Sequence, residues 1–197
     1  ITISPNKSME KPRKHANIEN GLEDRFIGCL LGSFMGDSLS PEIGVGYYTD
    51  DTQQTKLIAE VILENNGFNP EKFVEKIANF KEAYLGWCKD SIIIADFIKK
   101  EKERGKSSKE ILKKLKTFDF GVAGNGSAMR VSPIGLFYFD DIDKLKEAAI
   151  DSSSVTHNDS RAKAGSLAIS YAISFLLRSE NKLNIHEFID EISEFVR

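Results

Sequence analysis

TDDTQQTKLIAEVILENNGFNPEKFVEKI, residues 49–77, decides the fold class. Leu57, Ile58, Val61 and Ile62, then Phe73, Val74 and Ile77, return at steps of three and four, the period of a helix with one face turned to a core. Between the two runs, Gly67 suits a helix C-terminus and Asn69-Pro70 suits a new start, because proline at the first helical position has no needed N–H to lose. The stretch predicts two short helices joined by a short loop.

Working outward, the same period recurs in Leu22, Phe26 and Leu30, in Ile93, Ile94, Phe97 and Ile98, and in Ile111, Leu112 and Leu115. It continues over residues 145–150, 162–177 and 185–196. Gly105 suits another helix end, and Ser107 with Glu110 three residues later has the spacing of a capping box. Alternating strand patterns are scarce, so the expected architecture is an all-α globule of about eight to ten helices in a single domain over residues 21–197. Residues 1–20 carry two prolines and several charges with almost no apolar period, which predicts a disordered or loosely docked tail.

With 197 residues and 41% hydrophobic content the chain can build a core, and a mean hydropathy of -0.30 fits a soluble protein. A net charge of -3 argues against a nucleic-acid partner, and the basic residues between 99 and 116 are expected to lie on solvated helix. The longest apolar stretch, residues 26–35, is well short of the roughly 20 residues that span a bilayer, so no membrane partner is expected. Cys29 and Cys88 are far apart in apolar runs, which predicts buried, reduced thiols and a cytoplasmic setting. The chain starts at Ile1 with a polar stretch that is no secretory signal, and residues upstream are expected to have been removed or left out.

Three stretches carry candidate chemistry. Asp50 and Asp51 sit side by side between threonines: Asp50 can cap the helix with Gln53 reaching back to it, and one carboxylate suffices for that. The second is explained if a hard cation such as Mg²⁺, Mn²⁺ or Ca²⁺ is held there, since adjacent carboxylates repel without one. FGVAGNGSAMR, residues 120–130, is either a simple tight turn or a loop whose backbone N–H groups and small side chains cradle a diphosphate. VTHND, residues 155–159, puts His157 before a helix that Asn158 or Asp159 can cap. In the first helix Gly28, Gly32 and Gly36 form one smooth stripe, and their cost of about 1 kcal/mol each against alanine predicts the close approach of another backbone.

In order along the chain, GSFMGD (32–37), TDDT (49–52), GNGSAMRVSPIG (124–135), THND (156–159) and AGS (164–166) resemble the ADP-ribosylglycohydrolase family over roughly residues 22–180. The resemblance implies an all-α fold and a metal-dependent hydrolase that cleaves ADP-ribose from a protein side chain or a small conjugate, with Mg²⁺ or Mn²⁺ as cofactor, binuclear in the family. It implies Thr49, Asp50 and Asp51 as metal ligands, Asp50 and Asp51 with Glu42 as catalytic carboxylates, and Gly124, Asn125, Gly126, Ser127 and His157 as contacts to ADP-ribose. Glu42 lies closer to Asp37 than the family's glutamate lies to its Gly-Asp pair. The family completes its metal centre with a later Asp-Thr-Asp-Thr-like motif, which residues up to Arg197 do not contain. The expectation is therefore half of a dinuclear site, in a fragment, in a shortened homologue that needs a partner, or in a homologue reduced to ADP-ribose binding or to a structural, crystallin-like role.

Overall fold

The computed structural model describes residues 21–39, 46–81, 87–117, 122–179 and 183–197. The expected tail, residues 1–20, lies outside them, as does Glu42. Among the described residues there are α-helices and one 3-10 turn but no strand. The helices are α1 (Leu22–Ser38), α2 (Asp50–Asn65), α3 (Pro70–Ala78), α4 (Lys89–Glu103), α5 (Ser108–Thr117), α6 (Ser132–Phe137), α7 (Ile142–Thr156), α8 (Ser160–Arg178) and α9 (Ile185–Val196).

The predicted punctuation is where the helices break. Asn66 ends α2 in the left-handed region at φ 51°, and Gly67 follows with its N–H donating to Ile62 O at 3.0 Å. Asn69 Oδ1 accepts from the N–H groups of Glu71 and Lys72, with Pro70 as the first residue of α3. Ser107 and Glu110 close the predicted box in both directions, at 2.9 and 3.2 Å. The apolar face of α2 meets α3 and α6, α3 meets α4, α5 and α7, and α8 runs against α6, α7 and α9. Ile58, Val61, Phe73, Ile98, Ile111 and Leu145 are fully buried where these faces converge. Burying such a side chain stabilises the fold by about 1.5–3 kcal/mol. The basic segment is solvated as expected, and two of its exposed side chains, Lys114 and Arg104, clamp the buried carboxylate of Glu101.

The α1 glycines depart from expectation. No described atom lies within 4 Å of a Cβ built on Gly28, Gly32 or Gly36, so no described backbone packs on that stripe. The helix instead docks through its opposite face, where Leu22, Phe26, Cys29 and Leu30 meet Leu136, Phe139 and Leu177. Phe26 meets Phe139 edge to face at 6.0 Å. Close approach occurs elsewhere: a Cβ on Gly135 of α6 would stand 2.8 Å from Ser170 O, so α6 and α8 can pack this tightly only with glycine there. The cysteines are both free, but Cys29 is half-buried and Cys88 is exposed, because Cys88 stands at the entrance of α4 rather than inside an apolar face. No described helix is long and apolar enough to cross a membrane.

Candidate functional site

A cleft of about 410 Å³ opens where α1 ends, α2 begins and the segment after residue 122 turns back. Its size lies within the usual range for small-molecule sites. One wall is acidic, formed by Asp37, Thr49, Asp50 and Asp51. The facing wall is Gly124, Asn125, Gly126 and Met129, with His157 beside it and Cys88 and Ser91 at the entrance of α4.

The N-terminus of α2 is not capped as the local sequence suggests. Thr49 is the N-cap, its Oγ1 accepting from Asp51 N–H at 3.4 Å, and Asp37 reaches over from α1 to accept from the N–H groups of Thr49 and Thr52 at 2.8 and 3.1 Å. Thr49 Oγ1 also donates to Asp37 Oδ1 at 2.6 Å. Gln53 does not close a box, because its Oε1 accepts from the buried Trp87 indole at 2.8 Å. With Thr49 and Asp37 filling the capping role, Asp50 and Asp51 are left over for the cleft.

Their electrostatics fit that position. Burial, then the neighbouring Asp51 carboxylate, pushes Asp50 up to about 6, and burial with the Asp37 charge raises Asp51. Burial also acts to raise Asp37, but hydrogen bonds from Thr49 and Thr52 outweigh it and leave the group low. A wall of like charges held together in this way suits a hard divalent cation, which relieves the repulsion and takes oxygen ligands. Among the described residues no three His, Cys, Asp or Glu converge closely enough to hold a metal by themselves. Thr49, Asp50 and Asp51 offer hard oxygen donors of the kind such a cation takes, and water or further groups would have to complete its ligand set.

The opposite wall is built differently. Asn125, Gly126 and Ser127 form a single 3-10 turn, with Met129 N–H donating to Asn125 O at 2.9 Å. A Cβ on Gly126 would stand 2.5 Å from Cε1 of His157, whose ring is fully buried behind the turn. Glycine is needed here for a ring to pack against backbone, rather than for an unusual φ. Thr156 Oγ1 lies 2.8 Å from His157 Nδ1, which fixes the ring. Burial, then the nearby Arg130 charge, drives His157 down to about 3, so the imidazole stays neutral and keeps one donor or acceptor for the cleft. Ser127 is brought to the turn but not to the cleft surface, since its buried Oγ donates to Ala162 O at 3.0 Å and ties the turn to α8. Asp159 caps α8 through Arg161 N–H and pairs with the Arg161 guanidinium at 3.0 Å. It is therefore bound locally.

Thr49, Asp50, Asp51, Gly124, Asn125, Gly126 and His157 are thus brought to one cleft although the chain separates them by over a hundred positions. Sequence reasoning missed Asp37, Cys88, Ser91 and Met129. Asp37 stood inside a quoted motif, but nothing local says that an aspartate ending one helix will cap the next. Cys88 was read as buried because an aliphatic run follows it.

The family model described as ADP-ribosylglycohydrolase matches residues 19–197. An uncharacterized protein of Archaeoglobus fulgidus is 28% identical over 86% of this chain and 59% of its own length. The human protein named ADP-ribosylhydrolase ARH3 is 27% identical over 80% of this chain and 51% of its own. A solved structure titled ADP-ribosylglycohydrolase-related protein complex superposes with a TM-score of 0.65 at 22% identity, over 88% of this chain and 62% of that one, which shows a shared fold. The chain spans about half the length of the curated relatives it matches.

Proposed function

The chain belongs to the ADP-ribosylglycohydrolase family, and from that premise we propose that its cleft is the ADP-ribose side of a metal-dependent hydrolase site that cleaves the N- or O-glycosidic bond between ADP-ribose and an acceptor. The observation that carries this is the pairing of an acidic wall with a glycine turn and a neutral histidine across one small cleft. Thr49, Asp50 and Asp51 are the residues suited to hold Mg²⁺ or Mn²⁺, which when bound supplies a polarised water and a grip on ribose hydroxyls.

The chain's own groups have separate tasks. Gly124, Asn125 and Gly126 leave backbone close to the cleft, where a diphosphate finds donors without side chains in its way. His157, uncharged, offers its free ring nitrogen to the ligand. As the bond from the anomeric carbon to the acceptor breaks, positive charge grows on the sugar, and the carboxylates of Asp50 and Asp51 face that charge. Water supplies the new oxygen on that carbon; a carboxylate takes its proton and the departing acceptor gains one. Asp50, poised near 6, can exchange a proton near neutrality, whereas Glu42 lies outside the described residues.

A second reading, ADP-ribose binding without turnover, is favoured by the absence among the described residues of a complete metal-holding group. Incubation with an ADP-ribosylated peptide and Mg²⁺ or Mn²⁺ separates the two. Metal-dependent release that disappears in Asp50→Asn and Asp51→Asn supports hydrolysis. Calorimetric binding of ADP-ribose with no release supports the binding module, and neither binding nor release removes both.

A further inference from the structure

Arg130 is among the largest fully buried side chains in the molecule, and both groups that accept from it are neutral. Its Nη1 donates to Gln54 Oε1 at 2.6 Å, its Nη2 to Ser152 O at 2.6 Å, and the guanidinium lies over the Phe73 ring at 4.9 Å. Taking an arginine out of water with only neutral acceptors and the more distant Asp50 charge to favour it is costly, and an apolar residue would fill the same core volume at less expense. A packing role alone does not account for it.

The groups that Arg130 grips supply an account. Gln54 is one helical turn after Asp50 on the same face of α2, and both are buried. Ser152 is in the last turn and a half of α7, whose next residue, Ser153, both donates through Oγ to His157 O and accepts from His157 N–H, each at 2.7 Å. Arg130 itself directly follows Met129 of the cleft wall. We propose that Arg130 is a positioning residue: its rigid two-pronged grip on Gln54 and Ser152 locks the acidic wall, the glycine turn and His157 into one geometry. A lysine carries the charge but not the rigid planar fork, so it cannot hold the two acceptors in the same fixed geometry. The low protonation of His157 agrees with this placement, since the Arg130 charge is one of its causes.

The inference rests on the proposed function for its ligand arm only. Arg130→Lys, Gln54→Leu and Gln54→Glu are compared with Phe73→Leu, a packing lesion under the same guanidinium. Three measurements are made on each: thermal midpoint, ADP-ribose affinity by calorimetry, and the His157 ring resonances by NMR. Arg130→Lys and Gln54→Leu are expected to weaken ADP-ribose by about tenfold or more and to shift the His157 ring signals while remaining folded. Gln54→Glu, which keeps the acceptor but adds a charge, should bind ADP-ribose more tightly than Gln54→Leu, and Phe73→Leu should lower the midpoint without moving affinity or ring signals. Wild-type affinity and ring signals in folded Arg130→Lys, or in Gln54→Leu if the arginine variant does not fold, overturn the proposal and leave a core residue. If the unmutated chain does not bind ADP-ribose, the functional reading fails, and the ring signals alone decide the positioning role.

Discussion

The two walls of the cleft push a titratable group towards its neutral form by the same means, burial and then a like charge nearby. One group is an acid and the other a base, so they react to pH in opposite senses. On the acidic wall, burial and a neighbouring carboxylate raise Asp50 to about 6. On the glycine wall, burial and Arg130 lower His157 to about 3. The acidic wall is strained by like charge and stays so until something positive arrives. The glycine wall is already satisfied, its ring fixed by Thr156 and its turn tied to α8 through Ser127. One half of the site waits for its ligand; the other is preformed.

The sharpest way to break the preformed half is Gly126→Ala. The new methyl would meet the His157 ring at 2.5 Å, and that ring is fully buried with backbone and Thr156 behind it. Overpacking of this kind costs about 1–3 kcal/mol, and either the turn or the ring must leave its place. ADP-ribose binding is expected to be lost, with a lower thermal midpoint. Calorimetry and a melting curve check this, and a variant that binds like wild type would show the turn to be more yielding than its packing implies.

Asp50→Asn acts on the waiting half and should do the reverse for stability. Above pH 6 the folded chain must ionise Asp50 against its neighbour, so removing the charge without metal should raise the midpoint by roughly 2–4 °C, equivalent to about 1 kcal/mol after solvent screening. Divalent-ion binding should weaken in the same variant by about tenfold or more. A stabilised protein that has lost Mn²⁺ binding is the expected pair of outcomes; a destabilised one would mean that Asp50 serves the fold first.

A pH series sharpens the contrast. Asp50 is raised above its unfolded value near 3.9, so its contribution is full below that value and lost as pH climbs towards 6. His157 is lowered, so its contribution is full above its unfolded value near 6.5 and lost as pH falls towards 3. Between about pH 4 and 6 the two slopes oppose each other. In wild type the metal-free midpoint should therefore change little across that window. In Asp50→Asn it should fall with falling pH, and in His157→Gln it should fall with rising pH. Parallel slopes in the two variants would sink the assignment of either group.

How far these walls could be foreseen depends on the range of the interactions that make them. The helices were legible because a buried face repeats every three or four residues, as in Leu57 to Ile62, and because Asn69 and the Ser107-Glu110 pair satisfy N–H groups within three positions of themselves. The motifs of the cleft were legible as strings, but the reasons for their residues were not. Gly126 is required by a ring thirty-one positions later, Asp37 caps a helix that starts thirteen positions on, and Arg130 reaches Gln54 seventy-six positions back. Sequence gives no distance between such residues. The capping assignment for Asp50 failed for that reason: the local rule was sound, but a carboxylate from α1 had already taken the N–H groups.

The smallest expected effect concerns glycines that have no such partner. Gly28 of α1 is exposed, sits mid-helix and meets nothing described within 4 Å, unlike Gly126 and Gly135. The same helix exposes Ile27, Leu31 and Met35, at 48%, 53% and 61% of their surface, so its outer side is apolar as well as smooth. If the stripe carries no contact, Gly28→Ala replaces a poor helix former by the best one and should stabilise the chain by about 0.5–1 kcal/mol. Binding of ADP-ribose should not change, because Gly28 does not line the cleft. A melting curve decides the matter. A lower midpoint would mean that something outside the described residues packs against Gly28, which would restore the close approach that glycines at four-residue intervals suggested.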